Sequence, residues 1–81
     1  MTVRVLFFSV LQDISGVPEI EWEVPAGATL ADLLEAVFVR WPGLKRWESS
    51  LLFAVNHDYV KRDAVLTEGC EVALMPPVQG G

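Results

Sequence analysis

A chain of 81 residues, 52% of them hydrophobic, suits one small ordered domain and leaves little room for an enclosed active site beside a core. Its formal charge of −5, from eleven acids against six bases, opposes a nucleic-acid binder, which needs cations to displace counterions from phosphates. A single cysteine and a single histidine exclude an internal disulfide and a Cys-rich metal site, and argue against a His-based metal centre or a catalytic triad, so no metal is expected.

The opening TVRVLFF alternates, with Val3, Val5 and Phe7 on one face and Arg4, Leu6 and Phe8 on the other, and its β-branched and aromatic content supports a strand. No small-residue cleavage site follows it and no apolar run approaches the ~20 residues of a membrane span, so a cytoplasmic protein without membrane contact is expected. SVLQDISG reads as a short helical turn, with Val10, Leu11 and Ile14 on one side and Gly16 ending it. EIEWEV alternates again: Glu19, Glu21 and Glu23 point to solvent, Ile20, Trp22 and Val24 inward, and Pro25 to Gly27 break the strand.

Leu30, Leu33, Leu34, Val37, Phe38 and Trp41 follow the i, i+3, i+4, i+7 spacing of an amphipathic helix. Thr29 and Asp32 stand at the two positions of a capping box, and Pro42-Gly43 is expected to stop the helix. LLFAVN suits a third strand, His57 to Tyr59 a turn, and VKRDAVLTEG an irregular return with a brief strand around Val60. CEVALM is the last strand, with Cys70, Val72 and Leu74 on one face and Glu71, Ala73 and Met75 on the other. The order of strand, strand, helix, strand, strand predicts an α+β domain with one main helix on one face of the sheet.

This is also the order of the ubiquitin-like β-grasp, a mixed sheet in which the first and last strands lie parallel in the centre. On that resemblance Val3, Val5, Phe7, Val72 and Leu74 lie under the helix, and Leu6, Phe8, Ala73 and Met75 occupy the uncovered face. Contiguous exposed apolar surface marks a partner site. Burying Leu6, Phe8 and Met75 yields roughly 5–9 kcal/mol gross, which association costs of ~4–15 kcal/mol can consume. A tight complex therefore needs a further contact.

The end of the chain, MPPVQGG, supplies one. Residues 1–75 read as the β-grasp body and 76–81 as an extended, flexible tail. Pro76 and Pro77 lack N–H groups and cannot continue a paired strand, while together they favour a stiff path away from the body. Val78 and Gln79 lengthen that stalk, and Gly80 and Gly81 add no bulk. Six residues reach about 20 Å, so the tail suits insertion into a narrow channel, with the Gly81 carboxylate arriving first.

VRVLFF, GATLADLLEAV, FAVNHDYV and above all LTEGCEVALMPPVQGG resemble the small, sulfur-carrier subunit of molybdopterin synthase along the whole chain. The family's usual aromatic residues before Pro-Pro are here Leu74 and Met75, which keep the position apolar. The resemblance implies that a ubiquitin-activating-like adenylyltransferase uses ATP to adenylate Gly81, and that a sulfur donor displaces AMP to leave a covalent thiocarboxylate, 1-thioglycine. The large catalytic subunit then takes the tail (Pro76, Pro77, Val78, Gln79, Gly80) and passes sulfur to cyclic pyranopterin monophosphate. It further implies a heterotetramer, no bound cofactor, no catalytic site in the small subunit itself, and a partner interface at Leu6, Phe8, Tyr59, Ala73 and Met75. A sulfur carrier for thiamin thiazole or tRNA thiolation, and a ubiquitin-like modifier, share the activated terminus. A non-covalent binding module does not use it.

The remaining polar and aromatic residues are read as structural. His57 is an exposed turn residue, Cys70 a buried thiol, and Glu19, Glu21 and Glu23 a solvated face that protects an edge. Lys45-Arg46 and Lys61-Arg62 are solubilising pairs, and Trp22 and Trp41 fall on core positions, whereas period leaves Trp47 unplaced.

Overall fold

The computed structural model describes residues 1–77. Its elements are β1 (Thr2–Phe7), α1 (Val10–Ser15), β2 (Glu19–Glu23), α2 (Leu30–Arg40), α3 (Pro42–Lys45), β3 (Leu52–Val55), β4 (Asp58–Tyr59) and β5 (Glu71–Met75). The five strands form one mixed sheet in the order β2-β1-β5-β3-β4, with β1 and β5 parallel at its centre and the other neighbours antiparallel. This is the β-grasp arrangement. Among the described residues no helix is long and apolar enough to cross a membrane.

Strand parity sets the core. Val3, Val5 and Phe7 of β1, Val72 and Leu74 of β5 and Phe53 of β3 join Leu30, Leu33, Leu34, Val37 and Phe38 of α2 in one buried cluster. Cys70 is buried with them. Trp41, just past α2, meets Phe7 edge-on with ring centroids 5.1 Å apart and Trp22 at 5.6 Å. Trp47 and Trp22 pack against the cluster while half-buried. Val10 differs from expectation: Leu11 is buried and Ile14 packs against the core while half-buried, but Val10 is exposed.

The capping box forms as read. The Asp32 amide donates to Thr29 Oγ1 at 3.3 Å, and the Thr29 amide donates to Asp32 Oδ2 at 2.9 Å. The return segment satisfies two more free donors of the first helical turn. The Leu30 amide donates to the Ala64 carbonyl and the Ala31 amide to that of Arg62, both at 2.9 Å.

Three local readings need correction. Pro42 ends α2 but also opens α3 as its first residue, where a missing N–H costs nothing. Gly43 lies inside α3, and a Cβ there would stand 3.1 Å from Ile14 Cγ2, so its smallness lets α1 and α3 approach. The fourth strand is Asp58–Tyr59 rather than a stretch around Val60, although the Val60 amide still donates to the Phe53 carbonyl at 3.1 Å. The turn shrinks accordingly to Asn56 and His57.

Arg62 is not merely solubilising. Its Nη1 donates to Glu48 Oε2 at 3.1 Å, its Nη2 to the Glu48 carbonyl at 2.9 Å, and its guanidinium lies 5.6 Å from the Phe53 ring centroid. It clasps the irregular return to the segment after α3. The group is only partly shielded, so its worth is discounted for solvent. Arg62→Ala is expected to destabilise by about 1–2 kcal/mol, and a thermal melt should fall by about 4–8 °C for each of these.

Candidate docking face and tail root

The helices cover one face of the sheet, and the register fixes what the other shows. Leu6 pairs with Ala73, Ala73 with Ala54, and Ala54 with Tyr59, so these four form one row across β1, β5, β3 and β4. Phe8, past the end of β1, and Met75 stand beyond that row toward the end of β5. The Phe8 amide donates to the Leu74 carbonyl at 3.2 Å, which keeps Phe8 against β5. Phe8 is 45% exposed and Tyr59 74%, unusual values for such large side chains, while Leu6, Ala73 and Met75 are half-buried.

Together they line a shallow hollow of about 270 Å³. All five side chains expected to meet a partner thus face one depression. Ala54, His57 and Glu71 also line it, and none of these three was expected there. For Ala54 the signal was available: it alternates with Phe53, which points into the core. For Glu71 it was available too, since it shares the strand face of Ala73 and Met75; for His57 it was not, because its approach depends on the pairing of β3 with β5.

The opposite end of the same face is charged. Arg4 lies between Glu19, with Nε to Oε2 at 3.4 Å, and Glu71, with Nη1 to Oε2 at 3.6 Å. The face therefore grades from apolar beside Met75 to charged beside Arg4. Among the described residues no polar or charged side chain is buried, and no group of acids, histidines and cysteine could hold a metal ion.

The hollow lies at the root of the tail. Met75 lines it, and β5 ends at that residue. Pro76 and Pro77 follow with no strand pairing and are half-buried. Val78, Gln79, Gly80 and Gly81 lie outside the described residues.

Comparison with known proteins extends this picture. The chain is 37% identical to the molybdopterin synthase sulfur carrier subunit of Escherichia coli (strain K12), over 98% of this chain and 99% of that one. Among solved structures it resembles SAMP1 from Haloferax volcanii, with a TM-score of 0.88, 25% identity and full coverage of both chains. It also resembles a chain of the complex of subunits 1 and 2 of molybdopterin-converting factor from Helicobacter pylori 26695, with a TM-score of 0.72, 28% identity and full coverage of both. The ThiS family model matches residues 5–81, body and tail alike, and the protein belongs to the ThiS family.

Proposed function

We propose that this protein is the sulfur-carrier subunit of molybdopterin synthase. The observation that carries the reading is the apolar hollow at the root of Pro76 and Pro77. Support comes also from the identity over nearly the full length to a subunit of that name, and from the likeness to a chain of a two-subunit converting-factor complex.

The body is then a handle and the tail the working part. Leu6, Phe8, Tyr59, Ala73 and Met75 bury apolar surface against the large subunit. Pro76, Pro77, Val78, Gln79 and Gly80 carry the end of the chain into that subunit's active site. A carboxylate is a poor electrophile, because its charge is delocalised and oxide would have to leave. A ubiquitin-activating-like adenylyltransferase solves this by joining Gly81 to AMP from ATP, with release of pyrophosphate. A sulfur donor then attacks the acyl carbon, AMP departs, and Gly81 becomes a thiocarboxylate. In the large subunit the sulfur passes to cyclic pyranopterin monophosphate, and water restores the carboxylate. Two such transfers supply the dithiolene sulfurs. A cytoplasmic setting supplies the ATP and the reduced sulfur donor that these steps need.

A second reading, a ubiquitin-like modifier, is favoured by the likeness to SAMP1. It shares the adenylated terminus but delivers the acyl carbon to a lysine amine instead of sulfur to a pterin.

Intact-mass measurement separates these. Incubation with ATP, a sulfur donor and the adenylyltransferase should add the mass of one oxygen replaced by sulfur. The gain should vanish when the large subunit and cyclic pyranopterin monophosphate are added. A gain that the pterin system cannot discharge assigns the carrier to another acceptor. With an adenylyltransferase proven active on another carrier, no gain leaves only a non-covalent binding module. Phe8→Ala should leave the melting temperature nearly unchanged, because the ring is already half in solvent. It should weaken the complex with the large subunit by about 10-fold or more, the equivalent of about 1.5–3 kcal/mol of lost burial, as read by titration calorimetry.

A further inference from the structure

The loop between β3 and β4 has two residues, Asn56 and His57, with φ of 49° and 75°. This is the pattern of a type I′ hairpin turn, which matches the twist of its strands and needs positive φ at both positions, a conformation that glycine adopts without steric cost. Asn56 has a reason to be there. Its amide donates to the Glu71 carbonyl at 2.8 Å, and its Oδ1 accepts from the Glu71 amide at 2.9 Å, so it locks the turn to β5. His57 has no comparable internal role. Its side chain is 88% exposed, and Glu71 stands near it, with Nε2 to Oε1 at 3.9 Å.

That lock nevertheless places the imidazole where it matters. His57 stands on the rim of the hollow with Tyr59 and Glu71. Glu71 Oε2 is turned toward Arg4, which leaves Oε1 beside the imidazole. Among the described residues the hollow's lining holds no lysine or arginine, and Arg4, the cation that pairs with Glu71, is shared with a second carboxylate, that of Glu19. The local charge is thus negative, and the rim suits a cationic side chain donating at once to an imidazole nitrogen and to Glu71.

We propose that His57 is a specificity-determining residue of the docking face, forming with Glu71 the polar edge that receives a lysine or arginine of the large subunit. This rests on the reading that the large subunit covers the hollow. A side chain held in a glycine conformation, giving the fold little in return, is accounted for by a contact made outside the fold.

The experiment compares wild type, His57→Gly and His57→Gln by thermal melting and by calorimetric titration with the large subunit. His57→Gly should melt at or above the wild-type temperature and bind about tenfold more weakly. His57→Gln, which retains a hydrogen-bonding side chain of similar reach, should recover most of that affinity. Wild-type affinity in His57→Gly overturns the proposal, as does a His57→Gln protein as weak as His57→Gly. A fall in melting temperature that parallels the loss of binding reduces His57 to a turn residue and overturns it too. Failure of the wild type to bind the large subunit removes the carrier reading itself, whereas wild-type binding that His57→Gly leaves intact removes only this inference.

Discussion

The structure depends on the parallel pairing of β1 with β5. These strands come from opposite ends of the chain, yet Val5 pairs with Val72 and Phe7 with Leu74 in the centre of the sheet. Their inward side chains form the floor on which α2 rests; β2 attaches to β1 and β3 to β5, with β4 added beyond β3. The pairing also sets Phe8 next to the end of β5, so that the start of the chain furnishes part of the surface around the root of the tail.

One helix layer on one sheet leaves an asymmetry. The covered face is filled by aliphatic and aromatic side chains and has no buried polar group to satisfy among the described residues. The uncovered face has to remain compatible with water while keeping Phe8 and Tyr59 exposed. It does so by its gradient: small alanines in the middle, large apolar groups at the tail end, and the Arg4 ion pairs at the other. The small side chains of Ala54 and Ala73 make the centre concave, and Leu6, Phe8, Tyr59 and Met75 are the walls. A partner is received in a shape, not merely on a greasy surface.

Much of this was legible in the sequence because it is local. Alternation sorted Val3, Val5 and Phe7 from Leu6 and Phe8, and the spacing of Leu30 to Trp41 with Thr29 and Asp32 fixed the helix and its start. What stayed hidden depends on distant partners. Periodicity could not place β1 beside β5, which came from likeness to a known fold. Nothing local distinguishes Pro42 as a helix stop from Pro42 as the first residue of another helix. Asp58–Tyr59 is a strand only because β3 offers it an edge, and Arg62 is a clasp only because Glu48 and Phe53 lie within its reach. His57 reads locally as an ordinary turn residue for the same reason: the hydrogen bonds between Asn56 and Glu71 that bring it to the hollow join the β3–β4 turn to β5. The residues from Val78 to Gly81 were read from sequence alone.

The central position of β5 also bears on how the molecule folds. Hairpins and the helix can form from near neighbours, but the sheet is completed only when segments separated by nearly the whole body meet, after a large loop-closure entropy has been overcome. Assembly is therefore governed by a late, long-range event and is expected to be slower than for a helical bundle of equal length. The same topology makes loss of structure all-or-none. A molecule whose core has failed cannot retain β5 in place, so the exposed face and the root of the tail disappear together. Only an intact body can present either one, and damage to the domain silences its outer surface without any separate sensor.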